Sequence, residues 1–178
     1  MEKVAALSKD DQAQFNQLGL LLPDGPSMSP AWRLETTFSW QQAFPVGKEV
    51  VIEHRYKPIA GTGVFGSDDL RQSVYRTRFC TDADFNRVAA GKLGSVKNSP
   101  MPYLDETRLS YALPASNLWS GPIRSFRLVV DKGDNDAVVS FCGSGIRRIS
   151  TNQFEMTAKN FMPDHEINVL IVKPRKNP

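Results

Sequence analysis

The sequence predicts a mainly β protein, an antiparallel β-sandwich with one or two short helices. Two observations predict this class. Apolar and polar side chains alternate over several runs, and short segments rich in Gly, Pro, Asp or Asn separate most of these runs. Strands joined by tight turns are typical of antiparallel sheets rather than of alternating strand and helix units. With 178 residues, of which 40% are hydrophobic, the chain is long enough to form one ordinary core.

The first predicted element is a short helix over residues 8–18. Ser8 has the side chain of a helix N-cap, Asp11 places an acid three residues later, and Gly19 is a typical stop signal. Its predicted buried side chains are Phe15 and Leu18.

Residues 23–30 contain three prolines and a glycine, which cannot continue a helix or join a central strand. We expect an extended connector there. The expected organisation is therefore a helix with a proline-rich connector over residues 1–31, followed by a single β-sandwich domain over residues 32–178.

The clearest strand pattern covers residues 32–41, where large apolar side chains occupy every second position. Residues 50–56 alternate in the same way, and the two runs together predict an antiparallel hairpin. The glycine-rich residues 61–69 are typical of a loop. A further strand is expected to end at Cys80.

A second helix of about ten residues is expected after this strand. Thr81 and Asp84 have the spacing of a capping box, and Gly91 is expected to end the helix. Residues 91–102 then read as a loop. The side chains with helical spacing are Phe85, Val88 and Ala89.

The last third of the sequence is dense in strand signals. Short runs rich in Val, Ile, Leu and Phe are separated by residues that favour turns. The predicted strands are residues 109–113, 123–130, 137–142, 146–149, 154–158 and 167–172.

Composition and charge exclude several function classes. The net charge is +3, from 22 basic and 19 acidic side chains scattered along the chain, whereas a nucleic-acid surface gathers its basic residues on one face. The longest aliphatic run is far too short for a transmembrane segment. The first residues lack the apolar stretch of a secretory signal, so the protein is either cytosolic or read here as a fragment.

No motif predicts catalysis, and we expect neither a metal nor a cofactor. The two histidines and two cysteines lack the close spacing of zinc ligands. His54 is the first candidate for chemistry, but in a strand Glu53 and Arg55 would point away from it. A hydrogen-bonded structural histidine is therefore the simpler interpretation, and a site role is the alternative.

Two further sets of residues have more than one interpretation. Cys80 and Cys142 fit either one disulfide or two buried thiols. Most aromatic side chains are expected to fill the core. Trp119, in a loop before Gly121, is the aromatic residue that we expect to meet a partner.

Several motifs in order resemble an exported bacterial family, domain of unknown function 4424. They include Trp40, the run from His54 to Tyr56, the segment 119–133 and the Val-Ser-Phe-Cys-Gly run that ends at Gly143. Together they cover most of residues 32–158. Members of that family have a signal peptide and an upstream β-rich half, so the resemblance implies that this chain is a C-terminal portion.

The resemblance also implies a periplasmic or secreted location, where a Cys80–Cys142 disulfide would be stable. It implies no reaction. We therefore expect a non-catalytic binding or interaction module of the cell envelope, whose partner is a protein or an envelope component. The candidate binding residues are His54, Arg55, Tyr56 and Trp119.

Two alternatives remain open from the sequence. One is a hydrolase in which His54 acts with a carboxylate such as Asp105 or Glu106. The other is a structural domain that packs against an absent N-terminal half, for which a large exposed apolar patch would be the sign.

Overall fold

The computed structural model describes five stretches of the chain, residues 7–24, 27–31, 39–99, 102–113 and 121–175. The chain divides into two compact units, an N-terminal unit, Met1–His54, and a C-terminal unit, Arg55–Pro178. The expected domain boundary after residue 31 stays a prediction.

In the N-terminal unit, helix α1 (Lys9–Gln17) confirms the first predicted helix. Ser8 is its N-cap, because the Ser8 hydroxyl oxygen accepts a hydrogen bond of 3.1 Å from the amide of Asp11. Phe15 is half-buried. Leu18 is 63% exposed at the end of the helix, so its predicted burial is wrong.

The predicted connector over residues 23–30 is instead a hairpin of strands β1 (Leu21–Asp24) and β2 (Ser27–Pro30). The two strands form a two-stranded antiparallel sheet. Because each strand has one partner, a proline can lie at its open edge without removing a ladder hydrogen bond. Proline therefore excludes a central strand but not this hairpin.

The predicted hairpin over residues 32–56 is not found among the described residues. Residues 32–38 lie outside the described part of the chain, and residues 39–60 contain no strand. The alternation of residues 50–56 is present, but Val51 is 84% exposed and Ile52 is 43% exposed. Side chains on both faces of this segment are exposed, and no sheet of the described chain includes it.

The described residues of the C-terminal unit form seven strands in two antiparallel sheets. They are β3 (Gly61–Phe65), β4 (Leu104–Tyr111), β5 (Ile123–Asp131), β6 (Val138–Phe141), β7 (Arg147–Arg148), β8 (Gln153–Phe161) and β9 (Ile167–Pro174). One sheet has the order β3-β4-β9-β6 and the other the order β5-β8-β7. The mainly β class and the six strands predicted in the last third are confirmed.

Strand β3 corrects the loop predicted over residues 61–69. It pairs with β4, and Gly63 lies opposite Glu106 in the register. A Cβ atom at Gly63 would lie 3.3 Å from a carboxylate oxygen of Glu106, which is a tight contact. The glycine that indicates a loop in the sequence therefore leaves space for a side chain of the neighbouring strand.

Two helices lie between β3 and β4, α2 (Ser73–Phe79) and α3 (Ala83–Val96). Helix α2 replaces the strand that was expected to end at Cys80, and Cys80 caps the helix in a left-handed conformation with a φ of 53°. Helix α3 begins after Asp82 and continues past Gly91, so its predicted end is wrong. Buried Leu93 extends the apolar face beyond the glycine.

The two helices and the two sheets form three layers with two apolar cores. The first core lies between the helices and the four-stranded sheet and includes Phe65, Phe79, Phe85, Leu104 and Leu170. The second lies between the two sheets and includes Val130, Phe141, Met156 and Val169. Strand β9 contributes to both cores with alternate residues, which explains the continuous apolar run of residues 169–172.

A disulfide joins Cys80, at the end of α2, to Cys142, directly after β6. The two Cα atoms are 5.0 Å apart, and the cysteines are 62 positions apart in sequence. The structure thus contains the disulfide that the family resemblance implies. It ties the helical layer to the edge of the four-stranded sheet.

Candidate functional site

An open groove of about 810 Å³ lies between the two sheets of the C-terminal unit. This volume is within the range of small-molecule and cofactor pockets, which is about 300–1,000 Å³. Its lining is mostly apolar and comes from β4, β5, β9 and the segment before β3.

The floor of the groove is one face of the four-stranded sheet. Strand β9 contributes Ile167, Val169 and Ile171, which are alternate residues and therefore share a face. Leu109 of β4 extends this floor. Because these side chains also pack in the core between the sheets, the floor is continuous with that core.

One wall of the groove is the edge of β5. Six consecutive residues, 126–131, line the groove. Consecutive residues point to opposite faces of a sheet, so all six can border one cavity only if the backbone edge of the strand faces it. Strand β5 pairs with β8 on its other side, and within the described chain no strand pairs with this edge. An edge of this kind carries N–H and C=O groups that are free to pair with an added strand.

Aromatic and charged side chains also line the groove. Residues 56–59 are part of the lining, and they include the exposed Tyr56 and Lys57. Tyr111, which also lines the groove, is 49% exposed. The lining therefore combines a buried apolar part with exposed aromatic and charged side chains.

Two arginines share one carboxylate on the outer face of the three-stranded sheet, Arg127 on the edge strand β5 and Arg147 on β7 at the other edge. The Arg127 Nε atom donates a hydrogen bond of 2.7 Å to one oxygen of Glu155, and the Arg147 Nε atom donates one of 2.8 Å to the other oxygen. These two hydrogen bonds hold the pKa of Glu155 below its usual value. Glu155 is buried, whereas the side chains of Arg127 and Arg147 are 62% and 70% exposed.

A second buried carboxylate, Glu106, lies on the opposite side of the four-stranded sheet, under helix α2. Its Oε2 atom accepts a hydrogen bond of 3.0 Å from the Tyr75 hydroxyl. The Arg108 Nε atom forms an ion pair of 3.2 Å with Oε1. Burial raises the pKa of Glu106, although Tyr75 and Arg108 oppose the rise. This cluster does not line the groove.

A second cavity of about 760 Å³ lies between α3, β6 and β7. Charges of both signs surround it, including Lys92, Lys132 and Arg148 as well as Asp82 and Asp84. Asp82 caps α3, and Asp84 pairs with Arg87 at 2.9 Å. This mixture of charges favours no class of ligand.

The family model for Domain of unknown function (DUF4424) matches residues 1–170. The chain belongs to this family. The match extends beyond residues 32–158, on which the resemblance rested, and includes the N-terminal helix and hairpin. No curated protein and no solved structure matches the chain.

Membership of DUF4424 assigns no activity and no site residues. The positions of the predicted site residues therefore come from the structure. Tyr56 lines the groove. His54 does not line it, and the His54 ring packs against Trp40 with ring centres 4.8 Å apart. Arg55 is exposed beside Tyr56 and is not part of the lining, and Trp119 lies outside the described residues. The binding roles of these four residues stay predictions.

The carboxylates named for a hydrolase already have partners in this DUF4424 chain. Asp105 accepts a hydrogen bond of 2.9 Å from Arg175, and Glu106 is engaged by Tyr75 and Arg108. Among the residues that the structure describes, no group of three or more His, Cys, Asp or Glu side chains is placed to hold a metal ion. Likewise, no described helix combines the length and the apolar character needed to cross a bilayer.

Among the residues that line the groove, Tyr56 was a binding candidate from the sequence. Most of the other lining residues were not predicted to have a binding role. Leu109, Phe126 and Ile167 were predicted only as residues of strands. A binding role could not be inferred from their pattern, because the same alternation describes a closed core. The groove depends on which strands lie at a sheet edge, and the sequence contains no local signal for that.

Proposed function

We propose that this protein is a non-catalytic binding module that holds an extended, apolar segment of a partner protein in the groove. The partner segment would pair with the free edge of β5 and place alternate side chains on the apolar floor. This mode of recognition is strand addition, in which backbone hydrogen bonds supply affinity and side-chain pockets supply specificity.

The observation that carries the proposal is the combination, in one groove, of an apolar floor and a strand edge that no strand of the described chain pairs with. The N–H and C=O groups of alternate residues point to opposite sides of a strand, so every second residue between Phe126 and Asp131 presents a backbone donor and acceptor to the groove while the others bond to β8. A lipid chain would use the apolar floor but would leave these backbone groups unpaired. A polypeptide strand satisfies both, because it has the same alternation of side chains and the same hydrogen-bonding groups.

The disulfide supports the cell envelope as the place of action. Disulfides persist in the periplasm and outside the cell, and they are rare in the reducing cytosol. We therefore propose a periplasmic or secreted location, in agreement with the expectation from the family resemblance. Tyr56, which lines the groove, is the predicted binding residue that would contact the partner.

The proposal is tested with a short synthetic peptide in which Val or Leu alternates with Gln, labelled with fluorescein and titrated with the full chain. We expect a saturable rise in fluorescence anisotropy. Two further peptides are methylated at every second backbone amide, one at the amides that would face β5 and the other at the amides that would point away from it. We expect the first set of methyl groups to abolish binding and the second set to leave it intact. Equal effects of the two sets would contradict strand addition.

A matched pair of variants locates the binding site. Tyr111→Asp places a charge on the groove, and we expect it to weaken the peptide by about tenfold or more. Val64→Asp is the control, because Val64 is 48% exposed, lies in the same sheet and does not line the groove. Equal weakening by both variants, or binding of palmitate with no binding of the peptide, would overturn the proposal.

A further inference from the structure

We infer that the groove selects segments whose outward-facing residues are acidic, so that the partner alternates apolar with acidic side chains. This inference rests on the proposed function and deepens it, because it names the chemistry of the partner. It follows from the charges beside the edge of β5.

The two faces of β5 differ in character. Phe126, Leu128 and Val130 point inward and pack in the core between the sheets. Arg127 points to the outer face, as do its neighbours two residues away. A strand added to β5 continues both faces of the sheet, so its inward side chains would meet apolar groups and its outward side chains would lie beside Arg127.

The outer face of the three-stranded sheet carries a net positive charge. Arg127, on the edge strand β5, and Arg147, on β7 at the other edge, share the single carboxylate of Glu155 on the middle strand. Lys159 of the middle strand is exposed and pairs in register with Ser125, two residues before Arg127. Lys57 adds a cation to the lining of the groove. Arg127 is therefore the cation of this face that lies on the edge strand itself.

The acidic group at the far end of β5, Asp131, keeps its negative charge. It accepts a hydrogen bond of 2.8 Å from the Gly133 amide and one of 3.0 Å from the Gln153 side chain, and both donors are neutral. Asp131 is the last residue of β5, whereas Arg127 is at the middle of the strand, so Arg127 is the charge on β5 that a partner residue at the middle would meet.

Arg127 is also held in position before any partner arrives. Its hydrogen bond to Glu155 fixes the guanidinium group, and its exposed surface leaves other N–H donors facing solvent. A side chain that is already ordered loses less conformational entropy on binding. A partner carboxylate opposite Arg127 would thus meet a preorganised donor.

The test uses three peptides that share the same inward Val and Leu residues and carry Glu, Gln or Lys at the outward positions. At low salt, we expect the Glu peptide to bind about threefold more tightly than the Gln peptide, and the Lys peptide to bind more weakly by a similar factor. The differences are expected to shrink at high salt, because salt screens exposed charges.

Two arginine variants identify the group responsible. Arg127→Gln is expected to remove the preference for Glu while the Gln peptide still binds. Arg124→Gln is the matched control, because it removes the same charge from the same strand at a residue that does not line the groove. It is expected to leave the preference unchanged.

The outcomes separate the two proposals. If no peptide binds, the proposed function fails. If all three bind wild-type protein equally, the acidic preference is overturned and strand addition stands. A preference that survives in Arg127→Gln would also overturn the inference, because another group would then be its source.

Discussion

Two buried glutamates differ in what surrounds their carboxylates, and this difference fixes their response to pH. Glu155 is held by hydrogen bonds from Arg127 and Arg147, so its pKa is lowered. For Glu106, burial outweighs the favourable contacts with Tyr75 and Arg108, and Asp69 adds repulsion, so its pKa is raised. The two residues therefore contribute to stability with opposite dependence on pH.

We predict that Glu155→Gln and Glu106→Gln change the pH profile of stability in opposite directions. A lowered pKa in the folded state means that ionised Glu155 stabilises the fold above its unfolded-state pKa. This stabilisation is lost as the pH falls through the folded-state pKa. Glu155→Gln should therefore be less stable than wild type at neutral pH, and the difference should shrink on acidification.

The sign is reversed for Glu106. Its pKa is higher in the folded state than in the unfolded state. Between these two pKa values the folded state keeps a proton that the unfolded state has lost, so the stability of the wild type falls as the pH rises through this range. A glutamine resembles the protonated acid and can still accept the Tyr75 hydrogen bond. Glu106→Gln should therefore gain stability relative to wild type with rising pH.

Urea denaturation between about pH 4 and pH 8 measures the free energy of unfolding of both variants. The two variants serve as controls for each other, because both replace a buried glutamate with glutamine on a central strand of its sheet. Parallel pH profiles for the two variants would contradict the assigned environments.

Among the elements, helix α2 depends on a covalent link to the sheet. The Cys80–Cys142 disulfide closes a loop of 62 positions, from the end of α2 to the end of β6. In the chain-entropy account, a loop of that size stabilises the folded state by about 4 kcal/mol, because the unfolded chain is restricted. The Ser140 hydroxyl also donates a hydrogen bond of 2.8 Å to the Phe79 carbonyl at the same junction.

We predict that replacing both cysteines with serine lowers the free energy of unfolding by about 4 kcal/mol. The measurement is urea denaturation of oxidised wild type and of the double variant under the same conditions. The control is Ser140→Ala, which removes the neighbouring hydrogen bond and should cost about 1 kcal/mol. A loss of stability in the double variant no larger than that of the control would contradict a structural role for the disulfide.

The elements also show how far local sequence determines this fold. Strands β8 and β9 follow their patterns, because neighbouring layers cover their apolar residues. Residues 50–56 have the same pattern, but side chains on both faces are exposed and the segment forms no strand. The residues of helix α2 were expected to form a strand that ends at Cys80. Yet Tyr75 and Phe79 are four residues apart and both reach the core, which is helical spacing.

The candidate site was less predictable than the strands. The strand predicted over residues 123–130 is confirmed as β5, and one of its faces packs in the core between the sheets. Whether the strand lies in the middle or at the edge of its sheet depends on the order β5-β8-β7, which pairs residues distant in sequence. The groove therefore follows from topology, and residues such as Leu109 and Ile171 acquire a possible binding role only through it.

For the whole molecule, both apolar cores lie within the C-terminal unit. Every residue of the two core clusters comes from Arg55–Pro178. The disulfide and the residues of the groove also belong to this unit. A unit that contains its own cores meets the main physical requirement for folding alone.

We predict that the fragment of residues 55–178 folds by itself. It should form the Cys80–Cys142 disulfide, unfold cooperatively in urea and show little binding of a dye for exposed apolar surface. The comparison fragment is residues 32–178, which begins at the domain boundary expected from the sequence. If both fragments unfold with the same midpoint, residues 32–54 add nothing to the stability of the fold. If only the longer fragment unfolds cooperatively, the boundary at residue 32 is correct and the prediction for the shorter one is wrong.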